Sequence, residues 1–149
     1  MALAPFIATR LRRLCKRLGK KQSVDCDIGR WGEAVAADFL RGQGYKILLK
    51  RFRGRGGEID LVCRDGEVLA FVEVKARSST EFGRPGEFVD RAKQKRLSKT
   101  ALEYLRLLGN PSLIFRFDVV EVELAQEIEK NSTCFLIRNA FELTEPYLY

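Results

Sequence analysis

Charged residues recur at a spacing of two inside two strongly apolar segments of this chain. Glu58 and Asp60 lie in the first segment, and Glu73 and Lys75 lie in the second. Successive side chains of a β-strand point to opposite faces, so the two members of each pair should share one face of a sheet. Charged groups are rarely buried among apolar residues without a partner or a task. The pattern therefore indicates a site, and its residue types favour metal-dependent phosphodiester chemistry.

The carboxylates are suited to a divalent cation. Such a cation assists phosphodiester hydrolysis, and hard cations prefer oxygen ligands. Asp60 and Glu73, on neighbouring strands, could hold one Mg²⁺ or Mn²⁺ ion between them, with the carbonyl of Val74 as a third ligand. Glu58 and Glu33 could add ligands or bind water at the metal.

Lys75 has two interpretations. On the face of Glu73, it could hold the attacking water or neutralise the charge that develops on the phosphate. Alternatively, the charges are structural: Lys75 could form buried pairs with Glu73 and Asp60, or all three could be solvated on an edge strand. We favour the site, because three charges lie inside two strongly apolar strands.

The surrounding pattern predicts the elements that position these residues. Ile59, Leu61, Val72 and Val74 alternate with the charges and should share the opposite, buried face. Glycine turns and an Asp-Gly hairpin signal separate the strands. The chain should form an α/β fold, with a mixed central sheet flanked by helices. The predicted helices span about 27–41 and 88–108, and the predicted strands about 46–53, 58–64, 68–76, 113–124 and 134–142.

Net charge is concentrated at the N-terminus. The chain of 149 residues carries a formal charge of +7, and residues 1–21 contain seven basic residues and no acid. The remainder has 20 basic and 20 acidic residues and is formally neutral. Residues 5–18 have apolar side chains at helical spacing, which predicts a short basic amphipathic helix. We interpret residues 1–23 as a solvated basic arm, in preference to a membrane or nucleic-acid anchor, and residues 24–149 as one domain.

Cysteine and histidine usage excludes several classes of site. The chain has no histidine, which excludes a histidine-based triad and an imidazole general base. Its four cysteines are scattered, so a zinc site is not expected. Cys63 should be a buried thiol in the core, and this usage favours a reducing, cytoplasmic location. No apolar run approaches the length of a transmembrane span.

Several short motifs together resemble a known family. Asp60, followed after twelve residues by Glu73-Val74-Lys75, resembles the signature of the PD-(D/E)xK nuclease superfamily. The chain is more closely similar to the small bacterial YraN-type proteins, which resemble archaeal Holliday-junction resolvases. The matching segments cover roughly residues 29–141: Gly29-x-x-Gly32-Glu33, Arg55 to Leu61, Phe71 to Lys75 with Arg77, Lys93 to Leu97, Arg116 to Val120 and Asn139-Ala140-Phe141.

The resemblance implies a fold and a catalytic set. It implies an αβββαβ restriction-endonuclease-like core, and it places Glu33, Asp60, Glu73 and Lys75 at the superfamily's catalytic positions. It also implies Mg²⁺ or Mn²⁺ as cofactor and DNA as partner, with branched or junction DNA as the substrate class. Arg51 stands where such proteins often have Asn, and the basic arm lies outside the family pattern.

Basic residues near the predicted site could contact phosphates. For each one, an ordinary solvated charge is an equally good interpretation, but as a set they favour a nucleic-acid groove. Few aromatic residues are interleaved with them, so duplex or branched DNA is a better expectation than a single strand read by stacking. The candidates are Arg51, Arg53, Arg55, Arg77, Lys93, Lys95, Arg96 and Lys99.

Three functions remain open from the sequence. The leading hypothesis is a metal-dependent DNA endonuclease. A nucleic-acid-binding module that keeps the nuclease fold without cutting is the first alternative, although the complete set of four catalytic positions argues against it. A structural protein tethered to a membrane surface through residues 5–18 is the second. A homodimer is also left open.

Overall fold

The computed structural model describes residues 28–78, 89–124 and 132–146. The predicted N-terminal arm, including the helix at 5–18, lies outside these residues. The order of the described elements is the predicted one. They are α1 (Ile28–Gly42), β1 (Lys46–Gly54), β2 (Gly57–Asp65), β3 (Val68–Ser78), α2 (Arg91–Leu107), β4 (Ile114–Leu124) and β5 (Thr133–Phe141).

The five strands form one mixed sheet in the order β1-β2-β3-β4-β5. Strands β1, β2 and β3 are joined as antiparallel hairpins, and the predicted Asp65-Gly66 turn connects β2 to β3. Strand β4 runs parallel to β3, so the chain crosses over between them through α2. Strand β5 returns antiparallel to β4. The predicted fold class, a mixed sheet flanked by helices, is confirmed.

One face of the sheet is covered by α1. Ala36, Ala37 and Leu40 recur at helical spacing and are completely buried against the strands. They pack with Leu61 and Val72, among other strand residues, in a cluster that we call the α1 core. Cys63, predicted to be a core thiol, is a fully buried member of the same cluster.

The opposite face is covered by α2 and is rich in aromatic side chains. Tyr104 of α2 is fully buried and meets Phe52 of β1 and Phe71 of β3 edge-to-face, with ring centroids 5.0 and 5.7 Å apart. Leu97, also on α2, belongs to this cluster, which we call the α2 core. The two cores fix both helices against the sheet from which the charged residues project.

Strand β1 is distorted at Arg51. Its φ is 54°, in the left-handed region that residues other than Gly and Asn rarely adopt. The ladder pairs Lys50 with Leu61 and then Phe52 with Ile59, and it passes over Arg51. Ile59 packs in the α2 core, whereas Leu61 packs in the α1 core. The prediction that Ile59 and Leu61 share a face is therefore wrong, because β2 does not keep regular alternation between them, at the position opposite the distorted residue of β1.

A buried polar network lies on the α1 side, near the β2–β3 hairpin. The Asp118 carboxylate accepts hydrogen bonds from the Tyr45 hydroxyl at 3.0 Å, from Arg116 Nε at 2.8 Å and from the Asn139 N–H at 2.9 Å. Arg116 also donates to Asp65 at 2.7 Å. Strands β2, β4 and β5 and Tyr45, the residue before β1, are thereby joined around the buried charge of Asp118. A buried charge is tolerated only when hydrogen bonds and an ion pair of this kind replace its contacts with water.

Two glycines allow close packing between the helices and the strands. A Cβ at Gly32 of α1 would collide with the Cβ of Ala76 on β3. A Cβ at Gly56, in the β1–β2 turn, would lie 2.6 Å from the Arg96 carbonyl oxygen of α2. Gly32 thus brings the next residue, Glu33, close to β3, and Gly56 places the β1–β2 turn directly on α2.

Within the described residues, neither helix is long and apolar enough to cross a membrane.

Candidate metal and nucleic-acid site

Asp60 lies where β2 and β3 separate. The antiparallel ladder between these strands reaches Leu61–Val72. If it continued, Asp60 would lie opposite Glu73. Instead, the backbone N–H of Val74 donates to Asp60 Oδ2 at 2.8 Å. The carboxylate of Asp60 therefore sits in the gap between the two strands, held by a main-chain donor.

Three carboxylates from two elements converge around this gap. Oxygen atoms of Glu33 on α1 and of Glu58 and Asp60 on β2 all lie within 4.8 Å of one another. All three residues are half-buried. We refer to Glu33, Glu58 and Asp60 as the acidic triple. Such proximity is costly without a counter-charge, because like charges repel strongly in a partly desolvated site.

Two arginines of β1 supply part of that counter-charge. Arg51 binds Glu33 through two hydrogen bonds, from Nε to Oε2 at 2.7 Å and from NH2 to Oε1 at 2.9 Å. Arg53 Nε lies 2.5 Å from Glu58 Oε2, but its side chain is 76% exposed. The pKa of Arg51 is raised by its hydrogen bonds to Glu33 and also by the charges of Glu33, Glu58 and Asp60. Arg51 therefore interacts with every member of the acidic triple.

Glu73 projects from β3 on the α2 side of the sheet. Its Oε1 accepts from Lys93 Nζ at 3.0 Å, and its side chain is only 11% exposed. Lys93 lies in the first turn of α2, where its backbone N–H is capped by Asp90 at 2.7 Å. The other oxygen, Glu73 Oε2, is buried and has no hydrogen-bond partner among the described residues. An orphaned buried carboxylate oxygen is unusual, and it marks a place where a donor or a cation would fit.

Asp60 connects these two groups electrostatically. Its pKa is raised to about 7, chiefly by burial and also by the charges of Glu73 and, more weakly, Glu33. The hydrogen bond from the Val74 N–H and the charge of Lys93 lower the pKa of Asp60 and so offset part of this increase. The charge of Asp60 is therefore influenced by Glu33, on α1, and by Glu73, on β3, so Glu73 is linked electrostatically to the acidic triple.

This shift predicts a pH dependence of stability. An ordinary Asp has a pKa of 3.8. Between that value and about 7, folded protein holds a proton on Asp60 that the unfolded chain has lost, so stability falls as the pH rises through this interval. Without metal, we expect the free energy of unfolding to decrease by on the order of 2 kcal/mol from pH 5 to pH 8. Asp60→Asn should flatten this slope.

The measurement is chemical denaturation in a chelator at several pH values. Asp38→Asn is the matched control, because Asp38 is 78% exposed and forms an i,i+3 surface pair with Arg41 on the same helix. A slope that Asp60→Asn leaves unchanged would mean that another group carries the pH dependence.

The predicted catalytic and metal residues are distributed over this site. Glu58 and Asp60 lie close together, and Glu33 joins them from α1. Glu73 does not belong to the acidic triple, although it acts on Asp60. For Val74, the contact with Asp60 is made by the N–H. Lys75 is half-buried and, by strand alternation, lies on the face of Glu73.

The predicted phosphate contacts fall into two groups. Arg51, Arg53 and Lys93 form ion pairs with Glu33, Glu58 and Glu73, respectively, a role that the sequence did not reveal. Arg77 is half-buried on β3. Four others are exposed around the contact between the β1–β2 turn and α2: Arg55, Lys95, Arg96 and Lys99.

The network around Asp118 was not predicted from the sequence. The signal that could have revealed it is the one used for Asp60 and Glu73, since Asp118 is also an acidic residue inside an apolar strand. It differs from them in having fully satisfied hydrogen bonds. A buried charge in an apolar strand therefore marks either a structural hydrogen-bond network or a functional site. The two are distinguished by whether the hydrogen bonds of the charged group are satisfied within the protein.

Comparison with known proteins gives a consistent family. The model of the uncharacterised protein family UPF0102 matches residues 32–122. A UPF0102 protein of Symbiobacterium thermophilum is 49% identical over 114 residues, which cover 76% of this chain and 95% of that protein. A UPF0102 protein of Clostridium botulinum is 40% identical over 119 residues, covering 78% of this chain and 95% of the relative. The matched region includes the acidic triple, Glu73 and Lys93.

Proposed function

The chain belongs to the uncharacterised protein family UPF0102, and for this member we propose metal-dependent hydrolysis of DNA phosphodiester bonds. The motif formed by Asp60 and Glu73-Val74-Lys75 supports membership of the PD-(D/E)xK nuclease superfamily. The mixed sheet between two helices is consistent with a restriction-endonuclease-like core. The proposed location is the cytoplasm.

The observation that carries the proposal is the convergence of carboxylates on Asp60. Glu33, Glu58 and Asp60 lie within 4.8 Å of one another, and Glu73 acts on Asp60 from the next strand. The buried Glu73 Oε2 has no hydrogen-bond partner among the described residues, so it can accept a ligand bond without breaking an existing contact. An all-oxygen donor set of this kind suits Mg²⁺ or Mn²⁺.

Each residue has a role in the proposed reaction. Asp60 and Glu73 would hold the cation, with Glu33 and Glu58 as further ligands or as acceptors for bound water. The cation would supply Lewis-acid stabilisation of the charge that develops on the phosphate. Lys75, on the Glu73 face, would orient the attacking water or add positive charge to the transition state. Lys93 would hold Glu73 in place through its ion pair.

The exposed basic residues provide a surface for the DNA backbone. The β1–β2 turn packs on the segment of α2 that contains Arg96 and Lys99, and it carries Arg55. Because the part of the chain after residue 21 has no net charge, these residues form a local basic region and are not part of a uniformly basic surface. Phosphate contacts there would position a duplex or branched substrate without reading its sequence.

One observation favours a second candidate, a nucleic-acid-binding module that does not cut. Arg51, Arg53 and Lys93 already neutralise part of the carboxylate charge. Carboxylates satisfied in this way could be structural, and the basic surface on α2 would then act alone.

The test is a cleavage assay on labelled four-way junction, duplex and single-stranded DNA, with Mg²⁺, Mn²⁺ or a chelator. We expect cleavage in the presence of metal, with none in the chelator and none by a Glu73→Gln variant purified in parallel. The variant also controls for contaminating nucleases. Metal-independent DNA binding without cleavage on any substrate would favour the non-cutting module.

A further inference from the structure

The guanidinium of Arg51 makes a bidentate contact with one member of the acidic triple, Glu33. Both oxygens of Glu33 accept hydrogen bonds from it, at 2.7 and 2.9 Å, so a cation that chelates the carboxylate would compete with the guanidinium for the same edge. The other two members of the triple lie within 4.8 Å of Glu33. The Arg51 side chain is 32% exposed, so the pair is largely shielded from water.

The neighbouring arginine differs in each of these respects. Arg53 binds Glu58 through one hydrogen bond, in an exposed position. The φ angle of Arg53 is not positive, whereas that of Arg51 lies in the left-handed region. An exposed monodentate pair is weak, whereas a bidentate pair in a half-buried site is stronger and more directional. Of these two arginines, Arg51 is therefore the one that is built into the site.

We propose that Arg51 is an internal counter-ion of the acidic triple, which competes with a divalent cation for Glu33 and lowers the affinity of the site for the metal. The inference rests on the proposed function, because it assigns Arg51 a role toward the same cation. A cation and a guanidinium compete for the carboxylate of Glu33, because both are positively charged and both bind its two oxygens most strongly from the same edge. Arg51 therefore sets the metal affinity of the site and stabilises the acidic triple in the absence of metal.

Asn is the informative replacement for Arg51. It removes the positive charge and the bidentate pair, and it adopts the left-handed backbone more readily than Arg. Arg51→Lys keeps the charge but cannot reproduce the planar two-pronged contact. Arg53→Asn is the matched control, because it makes the same change in charge two residues away and removes an ion pair to another member of the triple.

The first measurement is Mn²⁺ binding, by calorimetry and by loss of the free-Mn²⁺ electron paramagnetic resonance signal. We expect Arg51→Asn to bind Mn²⁺ roughly tenfold to a hundredfold more tightly than the parent, because a positive charge beside the ligands has been removed. Arg51→Lys should fall between the two. Arg53→Asn should stay within about threefold of the parent, because its exposed charge is screened.

The second measurement is thermal unfolding with a chelator and with saturating Mn²⁺. Without metal, Arg51→Asn should melt below the parent, because Glu33 loses its partner among like charges. With Mn²⁺, it should gain more in Tm than the parent gains, because binding to the folded state stabilises it in proportion to affinity.

The outcomes separate this inference from the proposed function. Mn²⁺ binding by the parent with no tightening in Arg51→Asn, or with equal tightening in Arg53→Asn, would overturn the role of Arg51 while leaving the metal site intact. An absence of Mn²⁺ binding in the parent and in every variant would overturn both.

Discussion

Replacing Lys75 by Ala should abolish DNA cleavage while leaving the metal bound. In the proposed site the carboxylates hold the cation, so Asp60→Asn and Glu73→Gln should lose both Mn²⁺ affinity and cleavage. Lys75 would act on the water and the transition state, so its loss should lower the cleavage rate by about 10²-fold or more. Removal of its positive charge should leave Mn²⁺ affinity unchanged or slightly increased.

Three measurements on the same variants test this expectation: the single-turnover cleavage rate, Mn²⁺ affinity and Tm. Lys99→Ala is the control, because Lys99 is an exposed lysine on α2 within the proposed DNA surface. It should weaken DNA binding modestly without reducing the rate at saturating DNA. If the charges are a structural cluster instead, Lys75→Ala should cost about 3–5 kcal/mol of stability, as removal of one partner from a buried pair does. A large fall in Tm, combined with no cleavage by the parent, would support that alternative.

Replacing Asp118 by Ala should produce the largest loss of stability in the described part of the chain. The Asp118 side chain is fully buried. Its removal leaves the donor groups of Arg116, Tyr45 and Asn139 without this acceptor. Breaking a buried ion pair on one side costs about 3–5 kcal/mol. For a domain of this size we expect Tm to fall by roughly 10–20 °C.

Two further variants serve as comparisons for this prediction: Asp118→Asn and the surface control Asp38→Ala. Asn keeps the shape and one acceptor oxygen, so its effect should be intermediate. Asp38 pairs with Arg41 on the surface of α1, and surface pairs contribute at most about 1 kcal/mol. Calorimetry or circular dichroism gives the three Tm values. If the Tm of the Asp118→Ala protein equals that of the Asp38→Ala protein, the network around Asp118 is not structurally important.

The local sequence was sufficient to predict the elements of this fold. Strand alternation and helix periodicity depend only on neighbouring residues, so the two helices and five strands could be placed within a few residues. Glu58 and Asp60, predicted to share a face, also lie close together in the acidic triple. Strand alternation also placed Glu73 on the face opposite Val72, which packs in the α1 core.

The exceptions occur where the backbone departs from regular geometry. Ile59 and Leu61 should share a face by alternation, but they pack in different cores. The distortion at Arg51 has no signal in its residue type, because Arg rarely adopts a left-handed conformation. In the structure it coincides with a missing rung of the β1–β2 ladder and with the contact of Arg51 with Glu33.

The sequence by itself determined which residues could do chemistry and in which strands they lie, because charge and alternation are local properties. Only the tertiary structure decided their partners. Arg51 and Lys93 were predicted to contact phosphates, yet the docking of α1 and α2 on opposite faces of the sheet directs them to Glu33 and Glu73. Asp118 resembles Asp60 in sequence context but lies among three donors, whereas Asp60 lies in a gap between strands. Such pairings depend on distances between elements far apart in the chain, which residue spacing along a single element does not contain.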